Sequence, residues 1–558
     1  MGLSTIMTAS AAVPQLTEAW SHSYPSIVSG SSVMTPTYSA FDSKGNLFVA
    51  GQFTTEFDFA GSTLEPIAAS SYLLKYAPDG TELWGVSFAG AATVTALSVS
   101  DDDQVFVAGV LADEVEFGSL NGIPVIKEGM KMEGDFTTGL NASFIAKYSD
   151  NGNALIVETF IPASLPALTS TGMYYPEDGD EYFHINAIKA VGGKVYASAT
   201  YTGETKCGDV TFAGSYMDPW GGVYFLNQAK SAVFSLDTSL KNCAEIASFG
   251  LKEPTVMVET SQSSRSASFY VDGDVVYVGF VGNGNMTLKA DLSVRDFEFG
   301  TGLGAESDIN EYGFVFAAVK GNKLSIEPKV YKTQTSEPYF LDNSIKGMKM
   351  HGAHMMVVGT SNDWIPGRVN VSATTGLNDV FALMLDGATL DLGASVAVSA
   401  TSEARTLDKA YGFSLFGDDM YVATAVEAED GTIASIGAAW INPSMIATAA
   451  SAGSTGVATS GTKIFMGSCG ADGTVSYTLY DTKGAAIDNV ISENIVKVYP
   501  NPVVDVLNFS MPVDVTIYSV LGVEMKHADN VSSISVSELP AGQYIVKANG
   551  NAIHVLKK

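Results

Sequence analysis

Short apolar runs, each a few residues long, recur along this chain, and no stretch sustains the 3.6-residue period of an amphipathic helix. Leu47-Phe48-Val49-Ala50-Gly51 returns as Val105-Phe106-Val107-Ala108-Gly109, with looser copies at 195–199, 275–279, 355–359, 420–424 and 464–468. Most copies follow a tight turn such as Ser43-Lys44-Gly45-Asn46 or Asp272-Gly273-Asp274. Asn, Asp and Gly suit a two-residue hairpin, whose central residues take positive φ. A second pattern alternates with the first. Ser71-Tyr72-Leu73-Leu74-Lys75-Tyr76 leads into Pro78-Asp79-Gly80, and Ser143-Phe144-Ile145-Ala146-Lys147-Tyr148 leads into Asp150-Asn151-Gly152. Weaker partners stand at 232–236, 315–319, 380–384, 437–440 and 475–480.

Seven alternations of the two patterns predict seven four-stranded antiparallel units, each with an apolar face that it cannot bury alone. Stacking such units radially buries those faces and protects the strand edges, which predicts an all-β fold with a seven-bladed β-propeller over 16–490. The first two repeats resemble the bacterial β-propeller repeat family of the Asp-x-x-Gly-Asn-x-Tyr-Val-Ala-Gly type. Thr17-Glu18-Ala19-Trp20-Ser21-His22-Ser23-Tyr24 aligns with Thr81-Glu82-Leu83-Trp84-Gly85-Val86-Ser87-Phe88, so the N-terminal segment reads as the last strand of a blade with no blade of its own. Paired with the final blade it closes the ring, and Ala485 to Val490 compete for the same slot. Residues 1–15 read as a residual signal peptide or a disordered start. Ala9-Ser10-Ala11 has the small residues of a cleavage site, without a basic or fully apolar segment before it.

Near residue 491 the pattern changes. Val515, Ile517 and Val520 belong to one strand, Ile534 and Val536 to another and Tyr544-Ile545-Val546 to a third, which predicts a small Ig-like β-sandwich over 491–558. Tyr499, Pro500, Asn501 and Pro502 precede Asp505-Val506-Leu507; Val515-Thr516-Ile517-Tyr518 precedes Leu521 and Gly522; Leu539-Pro540-Ala541-Gly542-Gln543-Tyr544 precedes a last strand ending in Lys557 and Lys558. In that order these segments resemble the type A C-terminal sorting domain of Bacteroidota type IX secretion substrates. The resemblance implies export to the periplasm, recognition by the type IX translocon and sorting machinery, and release or attachment at the outer cell surface.

Charge sharpens the division. From Ile495 to Lys558 five Lys balance five Asp and Glu, while the remainder sets 25 Lys and Arg against 55 Asp and Glu and so carries the whole net charge of −30. An acidic body argues against nucleic acid or an anionic membrane as partner. No apolar run is long enough for a transmembrane helix. Cys207 and Cys243 fall in one repeat, where they either pair outside the cell or stay as buried thiols; Cys469 stands apart.

Candidate chemistry is sparse. His351 and His354 lie among methionines, a soft-metal setting, but the repeats place them across a hairpin before an inner strand, and an i, i+3 pair on one strand points to opposite faces. Asp101-Asp102-Asp103 and Glu177-Asp178-Gly179-Asp180-Glu181 have calcium-type donors without the EF-hand spacing; no other cofactor is expected. Inserts at 161–182 and 203–227 carry Tyr174, Tyr175, Tyr216 and Trp220, aromatics suited either to glycan or protein recognition or to packing the inserts onto the blades. Three functions stay open: a secreted binding or adhesion module, a hydrolase or lyase with carboxylates at the propeller funnel, and a structural surface component.

Overall fold

The computed structural model describes residues 16–29, 36–67, 70–129, 142–163, 181–217, 226–252, 264–291, 293–299, 310–335, 343–361, 379–398, 406–417, 419–428, 433–441, 447–452, 454–470, 472–482, 498–499, 502–519, 524–548 and 551–558. Among them every regular element is a β-strand. The chain divides into two compact units, 1–483 and 484–558.

In the first unit the described strands form seven antiparallel sheets in chain order. The first holds Tyr38–Phe41, Leu47–Phe53, Ser70–Tyr76 and Glu82–Phe88, and the second Ala92–Val99, Val105–Leu111, Ala142–Tyr148 and Ala154–Phe160. The third holds Phe183–Val191, Lys194–Tyr201, Lys230–Asp237 and Ala244–Leu251, and the fourth Ser264–Asp272, Val275–Asn283, Asn310–Lys320 and Lys323–Thr335. The fifth holds Ser344–His351, His354–Ser361, Asp379–Asp386 and Leu392–Ala397, and the sixth Thr406–Phe416, Asp419–Ala428, Ile433–Ile441 and Ala447–Ala452. The seventh holds Gly456–Ser460, Lys463–Cys469 and Val475–Asp481, with Thr17–Tyr24 as its outer strand. The first strand of each sheet packs against the first strand of the next, and the seventh returns to the first. That cyclic order is a β-propeller.

The repeated Leu-Phe-Val-Ala-Gly run is apolar throughout because its sheet is covered on both faces. Leu47 and Val49 pack toward the seventh sheet, with Phe465 and Tyr477. Phe48 and Ala50 pack toward the second, with Val105 and Val107. The run is the second strand of each sheet, so the sequence expectation that Met355–Gly359 form an inner strand is corrected. The innermost strands are those before it, whose mixed polar composition follows from lining the axis. The signature glycine makes room for an aromatic across the sheet: a Cβ on Gly109 would sit 2.7 Å from the Phe144 ring, and one on Gly51 2.5 Å from the Tyr72 hydroxyl.

Thr17–Tyr24 pairs antiparallel with Val475–Asp481, so the chain's beginning completes the sheet made by the end of its first unit. Ala485 to Val490 lie outside the described residues. The aligned tryptophans make matching bonds. Trp20 Nε1 donates to Pro78 O at 3.3 Å, and Trp84 Nε1 donates to Asp150 O at 2.8 Å. Each indole lies against the glycine of the next sheet's turn, Gly80 or Gly152, both held at positive φ. Tyr24 adds a buried lock at the closing seam: its hydroxyl meets Tyr76 Oη at 2.8 Å and donates to Glu82 Oε1 at 2.7 Å.

Lys75 supplies the charged version of the clasp. Its side chain is 3% exposed, its ammonium lies 4.9 Å from the Phe48 ring centroid and 3.9 Å from Asp42 Oδ2, and it bonds the Asp150 carboxylate of the second sheet. Lys147, its repeat counterpart, sits over Phe106 and donates to Thr238 O of the third sheet at 3.1 Å.

In the second unit Val498–Tyr499, Val506–Ser519, Glu524–Ser535, Gly542–Ala548 and Asn551–Lys557 form one sheet. Val515 and Ile517 lie in the long second strand, Ile534 in the next with Val536 just past its end, and Tyr544 in the fourth, while Val520 lies outside the described residues. These residues share one core with Val503, Leu539 and Val555, so the sheet folds over its own apolar face.

Cutting Lys75 back to alanine leaves the Asp42 carboxylate buried without its ammonium and unties the first sheet from the second. We expect a loss of about 3–5 kcal/mol in chemical denaturation. A loss below about 1 kcal/mol would show that this contact does not hold the blades together.

Candidate functional site

Connections divide the propeller into two unlike faces. In each sheet the first and second strands, and the third and fourth, are joined at one end; the second and third, and one sheet to the next, are joined at the other. The first end carries tight turns such as 42–46, 77–81 and 149–153. The opposite end carries the insertions. The second-to-third connections of the first four sheets contain hairpins: Phe57–Phe59 with Ser62–Leu64, Glu114–Leu120 with Ile123–Glu128, Glu204–Cys207 with Val210–Ala213, and Asn285–Ala290 with Ser293–Glu298. The last of these adds two strands to the third sheet's outer edge.

Aromatics on the described hairpins face inward. Phe57, Phe59, Phe117 and Phe212 are buried in the cores between sheets. Of the aromatics proposed for recognition, Tyr174, Tyr175 and Trp220 lie outside the described residues. Tyr216 stands on the short strand Ser215–Met217, and only its backbone is described.

The axis of the ring is more distinctive. The innermost strands of the second to sixth sheets each carry a β-bulge near their start, marked by a register break at Thr95, Asn186, Arg265, Lys346 and Tyr411. A bulge adds one unpaired residue and re-aims its side chain. Asn186 and Lys346 are exposed, and Thr95 and Tyr411 are half-buried, so solvent reaches them along the axis. Thr95 also ties neighbouring inner strands, its hydroxyl donating to Ile185 O at 2.6 Å.

Three residues further on, about 10 Å along a strand, lies a second tier. The inner-strand residues facing Phe48, Phe106, Tyr196, Gly279, Met356, Tyr421 and Phe465 across the sheet are Ala40, Ser98, Lys189, Ser268, Lys349, Ser414 and Ala458. Two lysines therefore stand on equivalent rungs. Lys189 is exposed. Lys349 is half-buried, 5.2 Å from the Phe413 ring centroid, and donates to Phe413 O at 2.9 Å and Ser414 Oγ at 3.4 Å. Neither makes an ion pair with a carboxylate among the described residues. Burial, and then the charge of Lys189, push the Lys349 amine down to about 8 from its ordinary 10.5. The inner strands carry Lys189, Arg265, Lys346, Lys349 and Lys409 against Asp272 and Asp408, the reverse of the body's charge. Composition averaged over the chain hid this reversal. Locating the bulges would have exposed it.

The metal candidates are placed as follows. His351 and His354 face each other across a two-residue turn, at the end of one strand and the start of the next. The carboxylates at 101–103 serve separate neighbours: Asp101 accepts Gly192 N–H, Asp102 accepts the Ser100 hydroxyl, and Asp103 accepts Ser43 N–H and hydroxyl. Among the described residues no three His, Cys, Asp or Glu side chains gather as a metal site. Glu181 is buried, and 177–180 lie outside the described residues. Cys207 is buried and Cys243 half-buried, both as free thiols.

In the second unit, Tyr499 is exposed and Pro502 lies on the surface. Tyr544 is buried with its hydroxyl donating to Pro540 O at 2.8 Å, and Gly542 begins its strand. Lys557 is buried, while Lys558 N–H bonds Val503 O at 2.9 Å, which fastens the final strand beside the segment after Pro502. Pro500, Asn501 and Gly522 lie outside the described residues.

Residues 497–558 match the model of the secretion system C-terminal sorting domain. The chain is therefore a type IX secretion substrate, delivered to the cell surface or beyond it. No helix among the described residues is long and apolar enough to cross a membrane. No curated relative matches by sequence. Among solved structures, the polysaccharide lyase Uly1 is 10% identical over 81% of this chain and 91% of its own, with a TM-score of 0.38. The β-propeller domain of Cps50 (Swd1) from Myceliophteria thermophila is 8% identical over 82% and 99%, with a TM-score of 0.32. A member of the DUF4221 family from Bacteroides vulgatus is 7% identical over 84% and 98%, also at 0.32. The propeller assignment rests on the strand order itself.

Because the Lys349 amine is pushed down, the unfolded chain holds the extra proton between pH 8 and 10.5. The cost of the charged form is complete below pH 8, and stability rises through that window. Lys189, Lys346, Lys409, Arg265, Tyr270, Asp272, His351, His354, Asp408 and Tyr411 are the other titratable groups on the strands around it. In denaturation series from pH 7 to 10.5, the wild type should gain about 1–3 kcal/mol relative to Lys349→Met. Parallel curves would remove the buried charge from the account.

Proposed function

We propose that this protein is a seven-bladed propeller exported by a Bacteroidota cell as a binding module, and that its ligand carries an anionic group taken at the axis. The observation that carries this reading is the excess of cationic residues on the inner strands, Lys189, Arg265, Lys346, Lys349 and Lys409 against Asp272 and Asp408. Of these, Lys189 and Lys349 stand one tier away from Arg265 and Lys346. A carboxylate, sulfate or phosphate group entering there would meet cations in a confined space, where charge–charge attraction exceeds its value in bulk water. Acidic glycans and carboxylate-bearing peptides both present such a group.

The rival is a hydrolase or lyase acting on polysaccharide or peptide. Hydrolysis of glycosides in most families uses two carboxyl groups on either side of the bond, whereas the inner strands are dominated by cations. Lyase chemistry can use a lysine as base, and a lowered amine such as Lys349 suits that role. A third reading is a structural surface component without a small ligand.

Two experiments test the proposal. The secreted protein is titrated with acidic and neutral oligosaccharides and acidic peptides, with product analysis alongside. We expect saturable binding of the acidic ligands without turnover, and the Lys346→Gln, Lys349→Met double variant should lose at least tenfold in affinity at an unchanged fold. Turnover that depends on an axial residue would replace binding by catalysis, and equal binding of neutral ligands would remove the role given to charge. For export, removal of 491–558 should leave the propeller in the periplasm when cells are fractionated; surface delivery without the segment would overturn its assignment as the address.

A further inference from the structure

We infer that Cys207 and Cys243 form a disulfide in the exported protein, pinning the insert hairpin of the third sheet to that sheet's outer strand. The inference starts from a comparison between sheets. In the first sheet the hairpin Phe57–Phe59 with Ser62–Leu64 folds down beside the blade, and its tip is tied to the outer strand: Ala60 N–H donates to Glu82 Oε2 at 2.8 Å, and Glu82 begins Glu82–Phe88. In the third sheet the corresponding hairpin is Glu204–Cys207 with Val210–Ala213, and the outer strand is Ala244–Leu251. Cys207 is the last paired residue before that hairpin's tip, and Cys243 immediately precedes the outer strand. The two cysteines stand where the first sheet keeps its tie.

Contact supports the comparison. Cys207 is 7% exposed within the core between the second and third sheets, and Cys243 packs against the same core. The neighbouring Cys207 thiol, followed by burial, pushes the Cys243 pKa upward. Neutral thiols in contact are poor nucleophiles, so oxidation belongs to the stage at which the hairpin docks. Export supplies the compartment, because the bacterial periplasm favours disulfides that the cytosol would keep reduced. A thiol–disulfide oxidoreductase in its disulfide form is the oxidant. The first cysteine thiolate attacks one sulfur of that disulfide and expels the other as a thiolate. The second cysteine then attacks the first through the mixed disulfide, expelling the carrier's remaining thiolate. The protein loses two electrons and two protons and gains one S–S bond, and the carrier leaves as a dithiol.

The bridge closes a loop around the outer half of the third sheet, the one that also receives two strands from the fourth sheet's insert. A covalent tie there limits opening of the blade by constraining the chain outside the folded state. Cys469 is buried in the seventh sheet rather than the third and serves as an internal control.

The test uses full-length protein recovered from the cell surface or medium, denatured and alkylated before and after reduction, then digested and analysed by mass spectrometry. We expect Cys469 to be alkylated without reduction, and Cys207 and Cys243 to appear as one linked peptide lighter by two hydrogens than the two thiol peptides. A reducing agent should lower the wild-type Tm to that of the Cys207→Ser, Cys243→Ser double variant and leave the variant's Tm unchanged. Alkylation of all three cysteines before reduction overturns the inference, as does a linkage of either residue to Cys469.

Discussion

Everything in the first unit follows from one constraint: each sheet is apolar on both faces, so no sheet is stable without two neighbours. The strand Leu47–Phe53 is buried along its whole length, with alternate side chains entering different intersheet cores. A row of such sheets would always leave two greasy faces, one at each end. Bending the row into a ring removes both. The pairing of Thr17–Tyr24 with Val475–Asp481 adds the covalent continuity that a simple row lacks, because it makes the last sheet out of both ends of the unit.

That closure explains the directional bonds that Trp20, Trp84, Tyr24 and Lys75 make at the seams of the seventh, first and second sheets. A seam needs directional bonds as well as apolar contact, since hydrophobic packing alone allows sliding. Trp20 and Trp84 give the same bond to successive turns, while Tyr24 and Glu82 close the seam through buried oxygen atoms. The later seams use side chains as well, Tyr277 and Tyr331 donating to Gly387 O and Leu390 O of the fifth sheet. The fourth sheet also reaches back with Asn285–Ala290 to lengthen the third, a brace made from main-chain bonds.

Much of this architecture was legible in the sequence, and the part that was not shares a physical cause. The second strand of each sheet announces itself because two-sided burial forces it to be apolar, and Trp20 announces its role because it repeats Trp84. Innermost strands such as Phe183–Val191 escape detection: one edge lines the axis, a bulge at Asn186 shifts the side-chain alternation, and the period that would identify a strand is lost. For the same reason the inner-strand cations do not stand out in the sequence as a group, whereas the loop aromatics do. Phe57 and Phe212 show why an aromatic on an insert is ambiguous: a hairpin beside a blade must bury something, and aromatics do so with few side chains.

Where the repeats agree, they report the demands of the scaffold; where they differ, the scaffold is indifferent and another requirement is free to act. On the rung that holds Ala40, Ser98, Ser268, Ser414 and Ala458, small side chains satisfy the packing in five sheets. Lysine at the remaining two positions, 189 and 349, is therefore not a packing solution. It places like charges on equivalent rungs without an ion-paired carboxylate among the described residues, and burial makes the charge on Lys349 costly. An anionic group delivered by a ligand would relieve that cost, so the same feature that weakens the empty scaffold would strengthen binding. The acidic exterior does not oppose this, because its field is screened within about 8 Å in physiological salt, and a group inside the ring meets the axial cations at closer range.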